Sequence, residues 1–442
     1  MDQSEALERY ASKEMLHIFS SQEKYATWRK LWLALAKAEK QVGLPITDAQ
    51  IAAMEKHLGD IDFARVHEIE KTTRHDVMAH LHAFAEKCPE AKGILHLGAT
   101  SAFVTDNTDL LQMQKGLELL TAKNIELIRI QSALSAEYAA LPTTGYTHFQ
   151  PAQPTTVGKR ICLWLQDIYI DTQDLLARQE DLHFLGVKGA TGTQSSFMIL
   201  LDHDSDKVAK LDALVAKEMG FKNLFTIAGQ TYTRKQDVRI LSALCGIATT
   251  ASKCATDIRL LSHLGEMTEG RSEKQVGSSA MPHKHNPIYS ERICGLARFL
   301  ISLCQNPAYT HSAQWLERSL DDSANRRLVL PQAFLMADAL LSLLIHLFTN
   351  LQIHPETIEK NLNEVAPALN LENVLMHAAK EGKDRQEIHE KLRRDPTFAK
   401  SEEVKIEIGR AKEQTETFLK ETISPFLTKH KDLTAFNSVI KI

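Results

Sequence analysis

The segment DNTDLLQMQKGLELLTAKNIELIRIQSALSAEYAALP runs from Asp106 to Pro142 with apolar residues recurring at three- and four-residue steps throughout. That spacing predicts one very long helix, with Asp106 and Asn107 as capping residues and Pro142 as its stop. A helix of roughly 50 Å cannot bury its apolar surface inside a small two-layer domain. It needs other long helices alongside it. The sequence supplies them, with similar segments at about 157–185, 234–267, 288–305 and 324–350. Nearer the start, Trp28, Leu31, Trp32, Leu35, Ala38 and Val42 form another stripe, and Gly43 stands where a C-cap belongs. Alternating strand patterns are rare, and no strand–glycine loop–helix unit is found. The fold class expected is all-α, an extended bundle of long helices.

A chain of 442 residues exceeds a single core, so several domains are expected. Short helices and loops at 45–106 suggest an N-terminal helical domain over 1–106. The long helices define a central domain over 107–352, and shorter charge-rich helices a C-terminal domain over 353–442. Long helices with several apolar faces also predict burial against copies of the same chain.

Composition narrows the function. With 43% hydrophobic residues, 24% charged residues and a net charge of −4, nothing points to nucleic acid or a membrane surface. The N-terminus lacks a signal-peptide apolar core. The most apolar stretch, ALLSLLIHLF at 339–348, falls short of the roughly 18 to 20 residues that cross a bilayer and reads as a buried helix. Six scattered cysteines without a C-x-x-C pair suggest reduced thiols in a cytoplasmic protein.

Reactive side chains concentrate at breaks between the helices, where loops on a rigid scaffold commonly carry function. The breaks are TTRHDVMAH (72–80), LGATSAFVTDN (97–107), GYTHFQPAQPTT (145–156), GSSAMPHKHNPIYSER (277–292) and WLERSLDDSANRR (315–327). Each has a bland reading. His75 can simply cap a helix, and DDSANRR can be a helix start capped by Asp322 or Ser323. Metal binding is not expected. His75 and His80 are five residues apart, off the spacing that shares a helix face, and the His283-x-His285 pair has no carboxylate or cysteine nearby. There is no G-x-S-x-G elbow, no Ser-x-x-Lys pair, no phosphate loop and no dinucleotide fingerprint. Histidines, hydroxyls and many cations without a cofactor suit general acid–base chemistry on a multiply anionic substrate. A serine can act as base only where surrounding cations favour its alkoxide, a condition that a closing loop supplies.

The stretch Gly277–Pro287 resembles the G-S-S-x-M-P-x-K-x-N-P signature of the fumarase/aspartase superfamily, and ATS at 99–101 and GYTHFQPAQPTT follow the same pattern in order. SSAMPHK, RYASKEM, TRHDVMAH, GQTYTRK and LDDSANRR are similar to the adenylosuccinate lyase branch, and THFQPAQPTTVGKR to its animal-type form. The resemblance extends from about residue 8 to 350. It implies a three-domain, mostly helical subunit whose long helices form a 20-helix core in a homotetramer, with active sites shared between subunits. It implies elimination of fumarate from adenylosuccinate, giving AMP, and from the succinyl-carboxamide ribotide SAICAR, giving AICAR, with no cofactor or metal.

Carried onto this sequence, the resemblance makes Ser278 the general base, with Ser279 as the fallback. His148 becomes the general acid, oriented by Glu291, and His75 assists beside the substrate. Lys284 and Asn286 would hold carboxylate and steady the charge that develops after proton removal. Arg9, Tyr10, Arg74, Asp76, Thr100, Ser101, Gln230, Arg292, Arg318, Ser323 and Arg327 would bind substrate. His285 departs from the arginine or lysine common in related loops, so closure is expected to be weaker or pH-dependent. Argininosuccinate lyase, whose second motif GYTHFQPAQP also resembles, and a non-catalytic helical homologue remain the alternatives. His283 and RHDV weigh against the former, and the intact set of Ser278, His148, Lys284 and Glu291 against the latter.

Overall fold

The computed structural model describes residues 9–270, 281, 284–395 and 406–433. Helices dominate, as the periodicity predicts. Those used below are α1 (Ser21–Gln41), α2 (Phe63–Thr73), α3 (Asp76–Lys87) and α4 (Ser101–Glu137), followed by α5 (Val157–Glu180) and α6 (Lys235–His263). After them come α7 (Ile288–Leu303), α8 (Asp321–Thr349) and α9 (Pro355–Lys380). α4 lies along α5 and α8, while α6 packs against α5, α7 and α8. These five helices form the central bundle.

α4 buries residues on every side, as a helix at the centre of a bundle must. Close approach is built in with glycine: a Cβ at Gly116 would sit 2.5 Å from the Phe334 ring of α8. Gly158, at the start of α5, similarly abuts the backbone of Ala139. Lys123 of α4 and Asp338 of α8 form a fully buried ion pair, completed by the Ser342 hydroxyl. Asp338 Oδ2 also accepts the Ser12 amide at 2.7 Å, which ties the N-terminal segment to the bundle. One continuous apolar core joins Met15, Trp28 and Trp32 to the central helices and to Ile423.

Several sequence expectations change. α4 starts at Ser101 with Thr100 as its N-cap, five residues before the expected start. Asp106 and Asn107 are therefore not caps. Both are buried inside the helix, where Asn107 donates to the carbonyls of Phe103 and Gly186 and accepts the Gly186 amide. At the start of α8 the N-cap is Leu320, so neither Asp322 nor Ser323 caps it. α9 is 26 residues long rather than short. An 18-residue window of α8 reaches a mean hydropathy of 2.0, enough by length and composition to cross a bilayer, yet 78% of that window is packed inside the protein. ALLSLLIHLF is thus the apolar end of a core helix.

The break at 145–156 is a β-hairpin, a departure from the helical pattern. Strands β1 (Pro142–Thr147) and β2 (Gln150–Thr156) pair antiparallel, with Thr147 opposite Gln150. Threonines at 143, 144, 147, 155 and 156 favour extended backbone, and Pro151 and Pro154 are tolerated because β2 is an edge strand. A bulge falls between Thr144 and Tyr146. There a Cβ on Gly145 would sit 2.5 Å from the Gln153 carbonyl oxygen.

Candidate active site

α2 ends at Arg74 in the left-handed conformation (φ 53°), and α3 restarts at once with His75 as N-cap. The reversal points His75 and Asp76 towards the beginning of α4. His75 Nδ1 accepts the Met78 amide at 3.3 Å. In the neutral ring the proton therefore belongs on Nε2, which lies 3.4 Å from the Ser101 hydroxyl. Ser101 is the first residue of α4, and the Thr100 hydroxyl makes no capping bond. Two motifs 26 residues apart thus meet through one histidine.

The third partner comes from α8. Arg327 donates to Asp76 Oδ2, and its Nε donates to the Ser323 hydroxyl at 3.2 Å. Burial pushes the Asp76 carboxyl up, but the Arg327 guanidinium and the Val77 amide outweigh it and hold the group below its ordinary value. Arg318 reaches Asp322 Oδ2 at 3.3 Å. Arg318, Ser323, Arg326 and Arg327 line a cleft open to solvent together with Lys24, Thr105, Asp106 and Asp109.

Behind this cleft lies a buried ion network. Arg234 donates to Asp106 at 2.9 and 3.1 Å and to Asp322 at 2.7 Å. Arg326 binds Asp237 at 2.7 Å and Asp109 at 3.0 Å. Tyr232 donates to Asp237 at 2.6 Å, receives a bond from Arg326 in turn, and its amide donates to Asp106 at 3.2 Å. These bonds lock GQTYTRK, DDSANRR and the first turns of α4 into one frame. Gln230 belongs to the same frame: its amide donates to the Glu317 carbonyl and its side chain to the Ala190 carbonyl, both at 3.0 Å.

Two further groups stand apart. Arg9, Tyr10 and Arg292 form a cation–aromatic cluster, with the two guanidinium carbons 5.9 and 5.6 Å from the Tyr10 ring centre. Among the described residues the buried Nη1 of Arg292 has no hydrogen-bond partner. His148 sits with Phe149 in the two-residue loop of the hairpin, at φ 54° and 58°. Positive φ at both positions gives the twist of a tight hairpin, yet neither residue is glycine or asparagine. His148 is exposed, and among the described residues no hydrogen bond or ion pair joins it to Glu291. Glu291 is an exposed first-turn residue of α7.

Lys284 is exposed ahead of α7, its amide donating to the Met281 carbonyl, and the Asn286 carbonyl accepts the Ile288 amide at 2.9 Å. Glu269 anchors this segment by accepting the amides of Tyr289 and Ser290 at 2.9 and 2.7 Å. Ser278, Ser279 and His283 lie outside the described residues. No three His, Cys, Asp or Glu side chains converge as metal ligands among the described residues. Lys24, Asp106, Asp109, Arg234, Arg326 and Glu269 were not read from the sequence as site residues. The available signal was charge inside apolar helical segments, since Asp106 and Asp109 share one face of α4.

Residues 7–300 match the family model described as lyase. The adenylosuccinate lyase of Schistosoma mansoni is 44% identical, over 98% of this chain and 97% of its own. That of Saccharomyces cerevisiae is 47% identical, over 87% and 80%. Among solved structures, the 3-carboxy-cis,cis-muconate lactonizing enzyme of Pseudomonas putida superposes with a TM-score of 0.83 at 21% identity, covering 98% of this chain and all of that one. The fumarate lyase of Mesorhizobium sp. BNC1 superposes with a TM-score of 0.78 at 20% identity, over 93% and 98%. The fold is therefore that of the fumarase/aspartase superfamily, and the chain belongs to the adenylosuccinate lyase family.

Proposed function

We propose that this chain releases fumarate from adenylosuccinate, leaving AMP, and from SAICAR, leaving AICAR. One observation carries the reading most strongly. Side chains from TTRHDVMAH, LGATSAFVTDN and WLERSLDDSANRR are joined through His75–Ser101 and Asp76–Arg327, and Arg327 also lines the cleft. A cleft that presents guanidinium groups and hydroxyls suits a phosphorylated, doubly carboxylated substrate.

In the reaction, Ser278 takes the proton from Cβ of the succinyl group, and the electron pair moves onto the adjacent carboxylate. Lys284 and Asn286 stabilise that charge. As the pair returns to form the fumarate double bond, the Cα–N bond breaks and His148 delivers a proton to the departing nitrogen. Arg9, Tyr10, Arg74, Thr100, Gln230, Arg292, Arg318, Ser323 and Arg327 bind the substrate, and Asp76 orients Arg327. His75 acts beside Ser101, and Ser279 is the fallback for Ser278.

The acting unit is a homotetramer with shared sites. The central bundle supplies five helices per chain, which would give the 20-helix core. Leu163 and Ile170 of α5 and Phe299 of α7 are exposed on that bundle. His148 stands exposed at a hairpin tip, which suits an acid donated to a neighbouring subunit. Residues 1–106, 107–352 and 353–442 are the three domains of this reading. Purified protein given adenylosuccinate should release fumarate and AMP in equal amounts. Cleavage of argininosuccinate instead, or of neither compound, would overturn the assignment.

A further inference from the structure

Each guanidinium that lines the cleft already has a carboxylate: Arg318 has Asp322, Arg326 has Asp109 and Asp237, and Arg327 has Asp76. Lys24, from the first turn of α1, lines the same cleft. Among the described residues, its ammonium has no ion pair and no hydrogen bond. The nearby acids do not need it, because Asp109 and Asp76 are both committed to arginines. A half-buried ammonium without a counterion loses hydration that nothing in the free protein restores.

We propose that Lys24 is a substrate-binding residue, whose ammonium takes the phosphate of the nucleotide together with Arg318, Ser323 and Arg327. This rests on the reading of the cleft as the substrate site. A phosphomonoester brings close to two negative charges, and its oxygens accept several bonds. The paired guanidinium groups supply donors and geometry but little uncompensated charge. Lys24 supplies the charge. Position supports the assignment: Arg318, Ser323 and Arg327 bracket the N-terminus of α8, a 29-residue helix whose free amide end favours an anion. Burial pulls the ammonium below the ordinary lysine pKa, and Asp109 and Asp76 counter this only partly. A bound dianion would restore the charged form.

The alternative destination is a succinyl carboxylate, and competing ligands separate the two. In Lys24→Met the inhibition constant of AMP should rise about ten- to a hundredfold, the range for losing one charge-assisted bond. The constants for adenosine and fumarate should stay within about threefold. KM for adenylosuccinate should rise with AMP while kcat changes little, and Lys24→Arg should recover much of the loss. A residue that merely supports the fold would weaken adenosine as well. The proposal is overturned if AMP binding is unchanged, if fumarate binding falls instead, or if adenosine falls equally. Should Lys24→Met fail to fold, Lys24→Gln carries the same comparison. Calorimetric binding of AMP and inorganic phosphate needs no turnover. Wild-type protein inactive on adenylosuccinate would therefore defeat the functional reading, while the loss of AMP affinity in the variant would still decide Lys24.

Discussion

The ion network behind the cleft and the hairpin that carries His148 place polar groups in opposite ways. In the network, Asp106, Asp322, Arg234 and Arg326 are almost fully buried, and each is held by bonds from α4, α6 or α8. Every orienting contact comes from the same chain. At the hairpin, His148 is exposed at positive φ and, among the described residues, makes no hydrogen bond or ion pair with Glu291, Lys284 or His75. The contrast separates two tasks. The arginine frame is set by contacts within one chain, whereas in the shared-site reading proposed above His148 serves a neighbouring subunit. Damage to the first should therefore appear as instability, and damage to the second as lost turnover.

The largest effect is expected in the network. Arg234→Met leaves Asp106 and Asp322 as buried charges short of a partner, and should lower unfolding free energy by about 3 to 5 kcal/mol in urea titrations. A loss below about 1 kcal/mol would mean that the network is more hydrated than the buried geometry implies. Next, His148→Asn, chosen because asparagine tolerates positive φ, should lower kcat at least ~10²-fold with an unchanged melting temperature. If stability falls instead, the hairpin tip is structural and the contrast fails. Mixing His148→Asn with Ser278→Ala subunits sharpens it further. If each site draws these residues from different chains, half times half of the sites are intact, so about a quarter of wild-type activity should return in verified mixed tetramers. No recovery would mean that each site uses both residues of one chain.

A smaller effect concerns Glu39, the counterexample to the paired carboxylates. It lies in α1, is fully buried, and among the described residues neither oxygen has a hydrogen-bond partner. Burial raises its pKa from 4.5 to about 9. The folded state therefore holds a proton that the unfolded chain releases above its ordinary pKa. The stability linked to that proton is complete below pH 4.5 and falls as pH rises towards 9. Glu39→Gln should flatten this decline, so that its gain at pH 8 exceeds its gain at pH 5 by about 1 to 2 kcal/mol. Equal effects at both pH values would place a partner or water at Glu39.

The long helices were legible because bundle burial imposes a period that composition cannot mimic, and α5, α6, α7 and α8 lie where the pattern puts them. Helix starts were not. Asp106 and Asp322 have the residue type of a cap, yet both pair with Arg234, 128 and 88 residues away. Local sequence cannot distinguish an aspartate that caps from one that awaits a distant arginine. The hairpin at 142–156 was read only as a break, because its threonines and prolines bury no alternating face. Of the candidate site, the family resemblance named His75, Ser101, Asp76 and Arg327, which the fold brings together. It missed Lys24, which sits in an amphipathic helix with no local mark of function.

The central claim is metal-independent elimination from a succinylated purine nucleotide. Its most direct test is fumarate release, followed by absorbance, from adenylosuccinate, SAICAR and argininosuccinate with purified protein, with and without chelator. The account predicts equimolar fumarate from the first two, none from the third, and no effect of chelator. Fumarate from argininosuccinate alone, or turnover that stops when divalent ions are removed, would contradict it.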